Sequence, residues 1–169
     1  MYTKEFEIRW NDLDLNNHLG NSSYVELMSH TRMSFLTENG MGLGEMHKHG
    51  LGPIVFYEHI YYFKEIHLGD HITVSIEVKG FSEDGRFVLF EHNFYNEKGE
   101  NLANCEMLFS WINLKTRKLG VVPQEFLKKL MSLSKGKDFK ILTKEDTRKY
   151  GKRPKNLSIQ TFSTKNSVN

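Results

Sequence analysis

The stretch at residues 12–21, DLDLNNHLGN, holds two carboxylates, three side-chain amides and one imidazole within ten residues. Asp and Asn favour turns, because their short side chains bond to nearby backbone groups and tolerate left-handed dihedral angles. The same residue types also cap the starts of helices. The stretch therefore predicts either a turn that only redirects the chain or a polar site built at a helix start.

The segments on either side of this stretch have different periodicities. Residues 2–10 alternate in polarity, which predicts a strand. From Tyr24 to Leu36 apolar residues recur at helical spacing, between the capping candidates at residues 21–23 and the Asn39-Gly40 pair. The polar stretch is thus predicted to connect a strand to the N-terminus of one long helix.

The remaining elements are predicted from turn signals and alternation. Residues 40–53, GMGLGEMHKHGLGP, are rich in glycine and predict a loop. Pro123 opens a short amphipathic helix. Four strands are expected at residues 54–63, 70–79, 87–96 and 102–113, separated by the turn sequences HLGD, SEDG and NEKG. Short connections usually join neighbouring antiparallel strands, so these four strands predict a meander.

An antiparallel sheet with one long helix has to bury the apolar face of that helix, since no other element can cover it. The predicted fold is therefore α+β, with a curved antiparallel sheet wrapped around one long central helix. The chain of 169 residues is long enough for one domain with a core. We expect this domain at residues 1–134 and a basic, loosely structured C-terminal extension at residues 135–169, with a short helix near residues 145–150.

Composition narrows the class of protein. Hydrophobic residues make up 38% and charged residues 26%, as in globular proteins, and no apolar run approaches the roughly 20 residues of a membrane span. The first residues lack the features of a secretory or transit peptide, and the single Cys105 cannot form an intramolecular disulfide, so a cytoplasmic protein is expected. No zinc-finger spacing or aromatic-rich RNA motif supports a nucleic-acid partner.

The polar stretch carries a recognisable motif. Asp14, Asn16, His18, Asn21 and Tyr24 match a D-x-N-x-H-x-N-N-x-x-Y run. This run resembles the one between the first strand and the central helix of hotdog-fold acyl thioesterases, a family that includes single-domain bacterial 4-hydroxybenzoyl-CoA thioesterases and acyl-ACP thioesterases. In element order the resemblance extends over residues 2–133. The chain departs from the motif at Gly20, where the family usually has a second Asn.

The resemblance implies a hotdog fold and hydrolysis of an acyl thioester, on CoA or on acyl carrier protein (ACP), to a free acid and a thiol. It implies no metal and no organic cofactor. It also implies a homodimer or a dimer of dimers, and the physics of the sheet agrees, because exposed edge strands need cover. Fatty acid metabolism is the corresponding biological setting.

Candidate catalytic residues lie in the first half of the motif. Asp14 is the candidate nucleophile or general base. Asn16 and His18 would lie on the same side of an extended segment and position the reactants. The backbone N–H groups around Gly20 and Asn21, at the positive end of the helix, are candidates to polarise the thioester carbonyl.

Two further candidates are less tied to the motif. Tyr24 is a candidate substrate-binding residue, with core packing as its alternative. Residues 62–66, YFKEI, resemble a Y-R-R-E-C segment of the plant enzymes, which makes Glu65 a possible acid or base. Its alternative is an exposed charge at a strand end.

The same residues leave other functions open. A hotdog protein that binds acyl-CoA as a sensor or carrier without turning it over is the main alternative, and hydratase or dehydratase chemistry ranks below it. The histidines show no metal-ligand spacing and no GxSxG elbow is present, so neither a metal site nor a serine hydrolase is expected. Cys105 is interpreted as a core thiol. The basic extension is either a solvated tail or an arm that attracts CoA phosphates, acidic carrier protein or nucleic acid.

Overall fold

The structure is a computed structural model that describes residues 1–156. Among these residues, no helix is long and apolar enough to cross a membrane. A 3-10 turn at Trp10–Asp12 precedes the long helix, and another at Asp146–Arg148 follows the last strand. The strands and helices in chain order are β1 (Tyr2–Glu7), α1 (Asn21–Glu38), α2 (Leu43–Lys48), β2 (Leu51–Tyr62), β3 (His71–Phe81), β4 (Phe87–Asn96), β5 (Asn101–Asn113), α3 (Gln124–Met131) and β6 (Lys135–Ile141).

The sheet has the order β1-β3-β4-β5-β2, and all neighbours on this path are antiparallel. Helix α1 lies against one face of the sheet and buries Met28, Phe35 and Leu36 in the main core. The Phe35 ring meets Phe90 of β4 with 5.9 Å between centroids. This confirms the predicted α+β hotdog fold, in which the long helix is wrapped by the antiparallel sheet.

One predicted pairing is wrong. β3, β4 and β5 form the expected meander, but β2 pairs with β5 and lies at the edge of the sheet. Strand β3 has β1 and β4 as neighbours, so it has no free edge for β2. Residues 63–70 therefore form a crossing connection instead of a hairpin. Buried Ile66 in this connection accepts the Leu19 N–H at 2.8 Å, which holds the connection beside the start of α1.

The predicted loop at residues 40–53 is also partly wrong, because it contains α2 and the first residues of β2. Long-range contacts explain why a glycine-rich segment is helical here. Met46 is fully buried, and the Lys129 Nζ of α3 lies 3.0 Å from the Glu45 carboxylate. These tertiary contacts outweigh the weak helix propensity of glycine.

Part of the C-terminal extension is ordered against the sheet. Residues 135–141 differ from the loose structure that their composition predicts, because they form β6, parallel to β3 at Val78, Gly80 and Phe81. Leu142 then packs with Leu89 on the outer face. The 3-10 turn at Asp146–Arg148 lies where a short helix was expected. The boundary at residue 134 stays a prediction, and residues 157–169 of the extension lie outside the described residues.

Candidate active site

The polar stretch folds into a tight turn just before α1. Leu13 and Leu19 bridge across it, and Asn17 adopts a left-handed conformation with φ 59°. The Asp14 N–H donates to the His18 carbonyl at 2.8 Å. Asp14 Oδ1 accepts the Asn16 N–H at 2.7 Å and, more weakly, the His18 N–H at 3.4 Å. The stretch is therefore a turn, and this turn fixes the orientation of the Asp14 carboxylate.

The expectation that Asn16 and His18 lie on the same side of an extended segment is wrong. That expectation assumed an extended segment, whereas the turn reverses the chain between the two residues. The Asn16 side chain is exposed and does not line the cleft described next, while His18 is half-buried and does. Asn16 contributes its backbone N–H to the Asp14 carboxylate.

An open cleft of about 350 Å³ lies at the start of α1. One wall comes from the polar turn and the first turn of α1, and the other comes from the end of β2 and the connection after it. The lining residues are Asp14, His18, Leu19, Asn21, Tyr24, Tyr62, Phe63, Lys64 and Glu65. The structure thus brings Asp14, His18, Asn21, Tyr24 and Glu65 together, although Glu65 lies more than 40 residues from the motif in the chain.

His18, Glu65 and His67 form a small cluster at the rim of the cleft. His18 Nε2 lies 3.4 Å from Glu65 Oε2, and His67 Nε2 lies 3.7 Å from the same oxygen. His67 follows Glu65 by two residues, but no motif in the sequence assigns it to the site. One ligand atom from each of these three residues lies within 4.8 Å of the other two, so the cluster could hold a cation. The expectation of a metal-free site stays a prediction.

Tyr24 lies at the inner end of the cleft and is 4% exposed. Its ring centroid is 5.0 Å from that of Tyr62 and 5.0 Å from that of Phe94. Burial, together with the neighbouring Tyr62 phenol, raises the pKa of Tyr24 to about 12. A tyrosine phenol is protonated near neutral pH even at its ordinary pKa of about 10, so the Tyr24 hydroxyl is available as a hydrogen-bond donor. Tyr24 serves both core packing and the wall of the cleft.

The backbone donors at the start of α1 differ from those expected. Gly20 is buried and donates its N–H to the Asp12 carbonyl at 2.9 Å, so this N–H cannot polarise a substrate. Nor does Gly20 line the cleft. The N–H groups of Asn21 and Ser22 have no hydrogen-bond partner among residues 1–156. Because these are the first N–H groups of the helix, they carry its partial positive charge.

The two carboxylates of the stretch have different environments. Asp12 is 4% exposed, and its side chain accepts hydrogen bonds from the Arg9 Nη2 at 3.0 Å and the Arg9 Nε at 3.1 Å. These bonds with Arg9 lower the pKa of Asp12 below its ordinary value. Its carbonyl also accepts the Ser23 hydroxyl at 2.8 Å. Asp12 therefore holds the strand-to-helix connection together, and Asp14 is the carboxylate that opens to the cleft.

Known proteins with the same fold include several thioesterases. A structure of SAV2348 from Staphylococcus aureus in complex with CoA shares 21% identity, with a TM-score of 0.71 over 92% of this chain and 94% of that one. YbaW, a probable thioesterase from Escherichia coli, shares 23% identity, with a TM-score of 0.65 over 76% and 95%. A 1,4-dihydroxy-2-naphthoyl-CoA thioesterase from Synechocystis shares 18%, with a TM-score of 0.68 over 78% and 96%.

Sequence comparison gives the family. No curated protein sequence matches this chain. The family model described as the thioesterase-like superfamily matches residues 8–130, which include the polar turn, α1, the strands from β2 to β5 and most of α3. Because this match spans most of the chain and includes the whole cleft, the protein belongs to the thioesterase-like superfamily.

Proposed function

We propose that this protein hydrolyses an acyl thioester, carried by CoA or ACP, to a free acid and a thiol. The observation that carries the proposal is the position of Asp14. Its carboxylate is oriented by the turn and lines a cleft that also receives the first turn of α1. Family membership and the fold shared with thioesterases support the same chemistry.

In the proposed reaction the thioester carbonyl oxygen accepts the free N–H of Asn21 at the start of α1. The helix start stabilises the negative charge that develops on this oxygen. Asp14 Oδ2, which has no hydrogen-bond partner within residues 1–156, attacks the carbonyl carbon or takes a proton from an attacking water. The C–S bond breaks, water supplies the oxygen of the acid, and the thiol leaves with a proton.

The other cleft residues have supporting roles in this proposal. His18 Nε2 lies 3.4 Å from Glu65 Oε2, and in this proposal the pair passes a proton to the leaving thiolate at the rim of the cleft. Tyr24, whose phenol stays protonated, can donate a hydrogen bond to the bound acyl group. Together they would position the thioester between Asp14 and α1.

The test is thiol release from a panel of acyl-CoA and acyl-ACP substrates by the wild type and by Asp14→Asn. Asn keeps an oxygen that can accept the Asn16 N–H, so the turn should fold, but it loses the charge. We expect kcat to fall by at least about 100-fold, the usual contribution of a general base, with an unchanged Tm.

The matched control is Leu15→Ala, in the same turn at a fully exposed position, which should keep wild-type kcat. An Asp14→Asn variant with near-normal kcat would refute the role of Asp14. Binding of acyl-CoA with no thiol released from any substrate would instead support a sensor or carrier.

We also propose that two copies of the chain associate along β2. This strand lies at the sheet edge and pairs only with β5 among the described residues. Its exposed apolar side chains are unusual for an edge strand, which natural proteins tend to protect. These side chains are Ile54, Val55, Phe56, Tyr61 and Tyr62, followed by Phe63, each at least 36% exposed.

A further inference from the structure

His18, Glu65 and His67 direct three side-chain ligand atoms toward one point at the rim of the cleft. His18 Nε2 and His67 Nε2 lie 3.4 Å and 3.7 Å from Glu65 Oε2, and the three atoms all lie within 4.8 Å of one another. Both N···O distances exceed the range of about 2.7–3.2 Å for an ordinary N–H···O hydrogen bond. They are close to the spacing of ligands around a tetrahedral metal ion, where bonds of about 2.0–2.1 Å place neighbouring ligand atoms roughly 3.4 Å apart.

Backbone hydrogen bonds hold the two histidines at this spacing. The Leu19 N–H donates to the Ile66 carbonyl at 2.8 Å, which joins the residue after His18 to the residue before His67. Leu19 and Ile66 are both buried, so this connection is anchored in the core. The His67 N–H also donates to the Asp70 carboxylate at 2.8 Å. Because the chain already brings the ligands together, little conformational freedom is lost when an ion binds.

The types of ligand select the class of ion. Two imidazole nitrogens and one carboxylate suit Zn²⁺, which several enzymes bind through this set with a fourth position open. Mg²⁺ and Ca²⁺ prefer oxygen ligands alone. The lysine that lines the cleft, Lys64, has its Nζ 2.9 Å from the Glu100 carboxylate, so its charge is paired. Asp14 lines the same cleft and adds a negative charge that favours a cation.

A second group of possible ligands among residues 1–156 is Glu45, His49 and Glu125, and its surroundings differ. The Lys129 Nζ lies 3.0 Å from Glu45 Oε1, and the Lys48 Nζ lies 3.8 Å from the same oxygen. These two ammonium groups already pair with the carboxylate and repel a metal ion. The cluster in the cleft is therefore the better cation site.

We propose that His18, Glu65 and His67 bind one Zn²⁺ ion, and that this ion inhibits the thioester hydrolysis proposed above. The ion would occupy His18 Nε2 and a carboxylate oxygen of Glu65, the groups that pass a proton to the leaving thiolate in that proposal. The inhibition rests on the proposed function, whereas the binding of Zn²⁺ does not. The ligands come from two segments far apart in the chain, so their spacing in the sequence does not resemble a metal motif.

The test measures Zn²⁺ binding and hydrolysis separately. Zn²⁺ is titrated by calorimetry into the full chain after treatment with a chelator, and Mg²⁺ is the comparison ion. In the wild type the His67 ring lies 5.1 Å from the His18 ring, and His67→Phe keeps an aromatic ring there but removes the ligand nitrogen. The matched control is His47→Phe, at an exposed position of α2 outside both groups of possible ligands.

We expect the wild type to bind one Zn²⁺ per chain with a dissociation constant below about 100 μM, because three of the four ligands of a tetrahedral site are present. Mg²⁺ should not bind measurably over the same concentrations. His67→Phe should weaken Zn²⁺ binding by at least about 10-fold, because it removes one of the three ligands. His47→Phe should bind Zn²⁺ as the wild type does.

Hydrolysis is measured with the acyl-CoA of the panel that reacts fastest, and it is followed as free acid because the released thiol itself binds Zn²⁺. At a free Zn²⁺ concentration ten times the wild-type dissociation constant, the wild type and His47→Phe should lose activity about 10-fold, since about nine-tenths of the sites are filled. His67→Phe should lose about twofold or less. Without Zn²⁺, both variants should keep the wild-type rate.

Each part of the inference can be overturned. A wild-type dissociation constant above about 100 μM would refute the site, and a loss in His67→Phe smaller than about 10-fold would place the ion elsewhere. Bound Zn²⁺ that leaves hydrolysis unchanged, or raises it, would refute the inhibition. If no substrate is hydrolysed even without Zn²⁺, the proposed function fails, but calorimetry still decides whether these three residues bind the ion.

Discussion

His92 makes the stability of this protein sensitive to mild acid. It lies on β4, is fully buried, and has its Nδ1 2.9 Å from the Ser75 carbonyl. Its Nε2 has no hydrogen-bond partner among residues 1–156. Burial, reinforced by the nearby Arg32 charge, lowers the pKa of His92 from 6.5 to about 3. The imidazole is therefore neutral in the folded protein throughout the physiological range.

The sign of the effect follows from proton binding. Below pH 6.5 the unfolded chain takes up a proton at His92 that the folded protein does not accept until the pH approaches 3. Above pH 7 His92 is neutral in both states and does not lower the free energy of unfolding. As the pH drops through 6.5, the unfolded chain gains the proton and the free energy of unfolding falls. With the full slope of 1.36 kcal/mol per pH unit reached only below the unfolded pKa, the loss between pH 7 and pH 5 is about 2 kcal/mol.

The assay is urea unfolding at pH 7 and pH 5, at equal ionic strength, for the wild type and His92→Asn. The Asn amide can still donate to the Ser75 carbonyl but does not titrate. We expect the variant to be less stable at both pH values, because the smaller side chain leaves a space, and to lose about 2 kcal/mol less than the wild type between them.

Exposed His30→Asn is the matched control and should keep the wild-type pH dependence. If the wild type and His92→Asn lose the same free energy of unfolding between the two pH values, then His92 is not held neutral by burial and the argument is refuted.

Two further predictions concern the pairing of β6 with β3 and the exposed edge of β2. Gly80→Ala should destabilise the protein by about 1–3 kcal/mol in urea unfolding, because its Cβ would lie 2.7 Å from the Lys140 carbonyl and push β6 away from β3. Gly44→Ala, whose Cβ would meet nothing within 4 Å, should be neutral or slightly stabilising, and equal losses for both would contradict this account. Phe56→Lys, on the exposed edge strand, should lower the mass measured by light scattering to that of a monomer, whereas an unchanged dimer would show that β2 is not the contact.

Local patterns were sufficient for most of the elements and for part of the site. The 3.6-residue period predicted α1, and alternation predicted β3, β4 and β5, because both periodicities depend only on residues close together in the chain. The motif identified Asp14, His18, Asn21 and Tyr24, which do line the cleft. It misplaced Asn16, because Asn17 adopts a positive φ and turns the chain where an extended segment was assumed.

The sequence by itself determined that one long helix is packed on an antiparallel sheet, with a polar turn at the helix start. Only the tertiary structure decided which distant residues lie beside that turn. β2 leaves the meander to pair with β5, and residues 63–70 cross back to place Glu65 and His67 beside His18. Likewise, β6 joins β3 beside Gly80 within a segment whose composition predicts loose structure. Such pairings join residues far apart in the chain, so their energy depends on which strand edges remain free in the folded sheet. The pattern of neighbouring residues does not determine which edges are free.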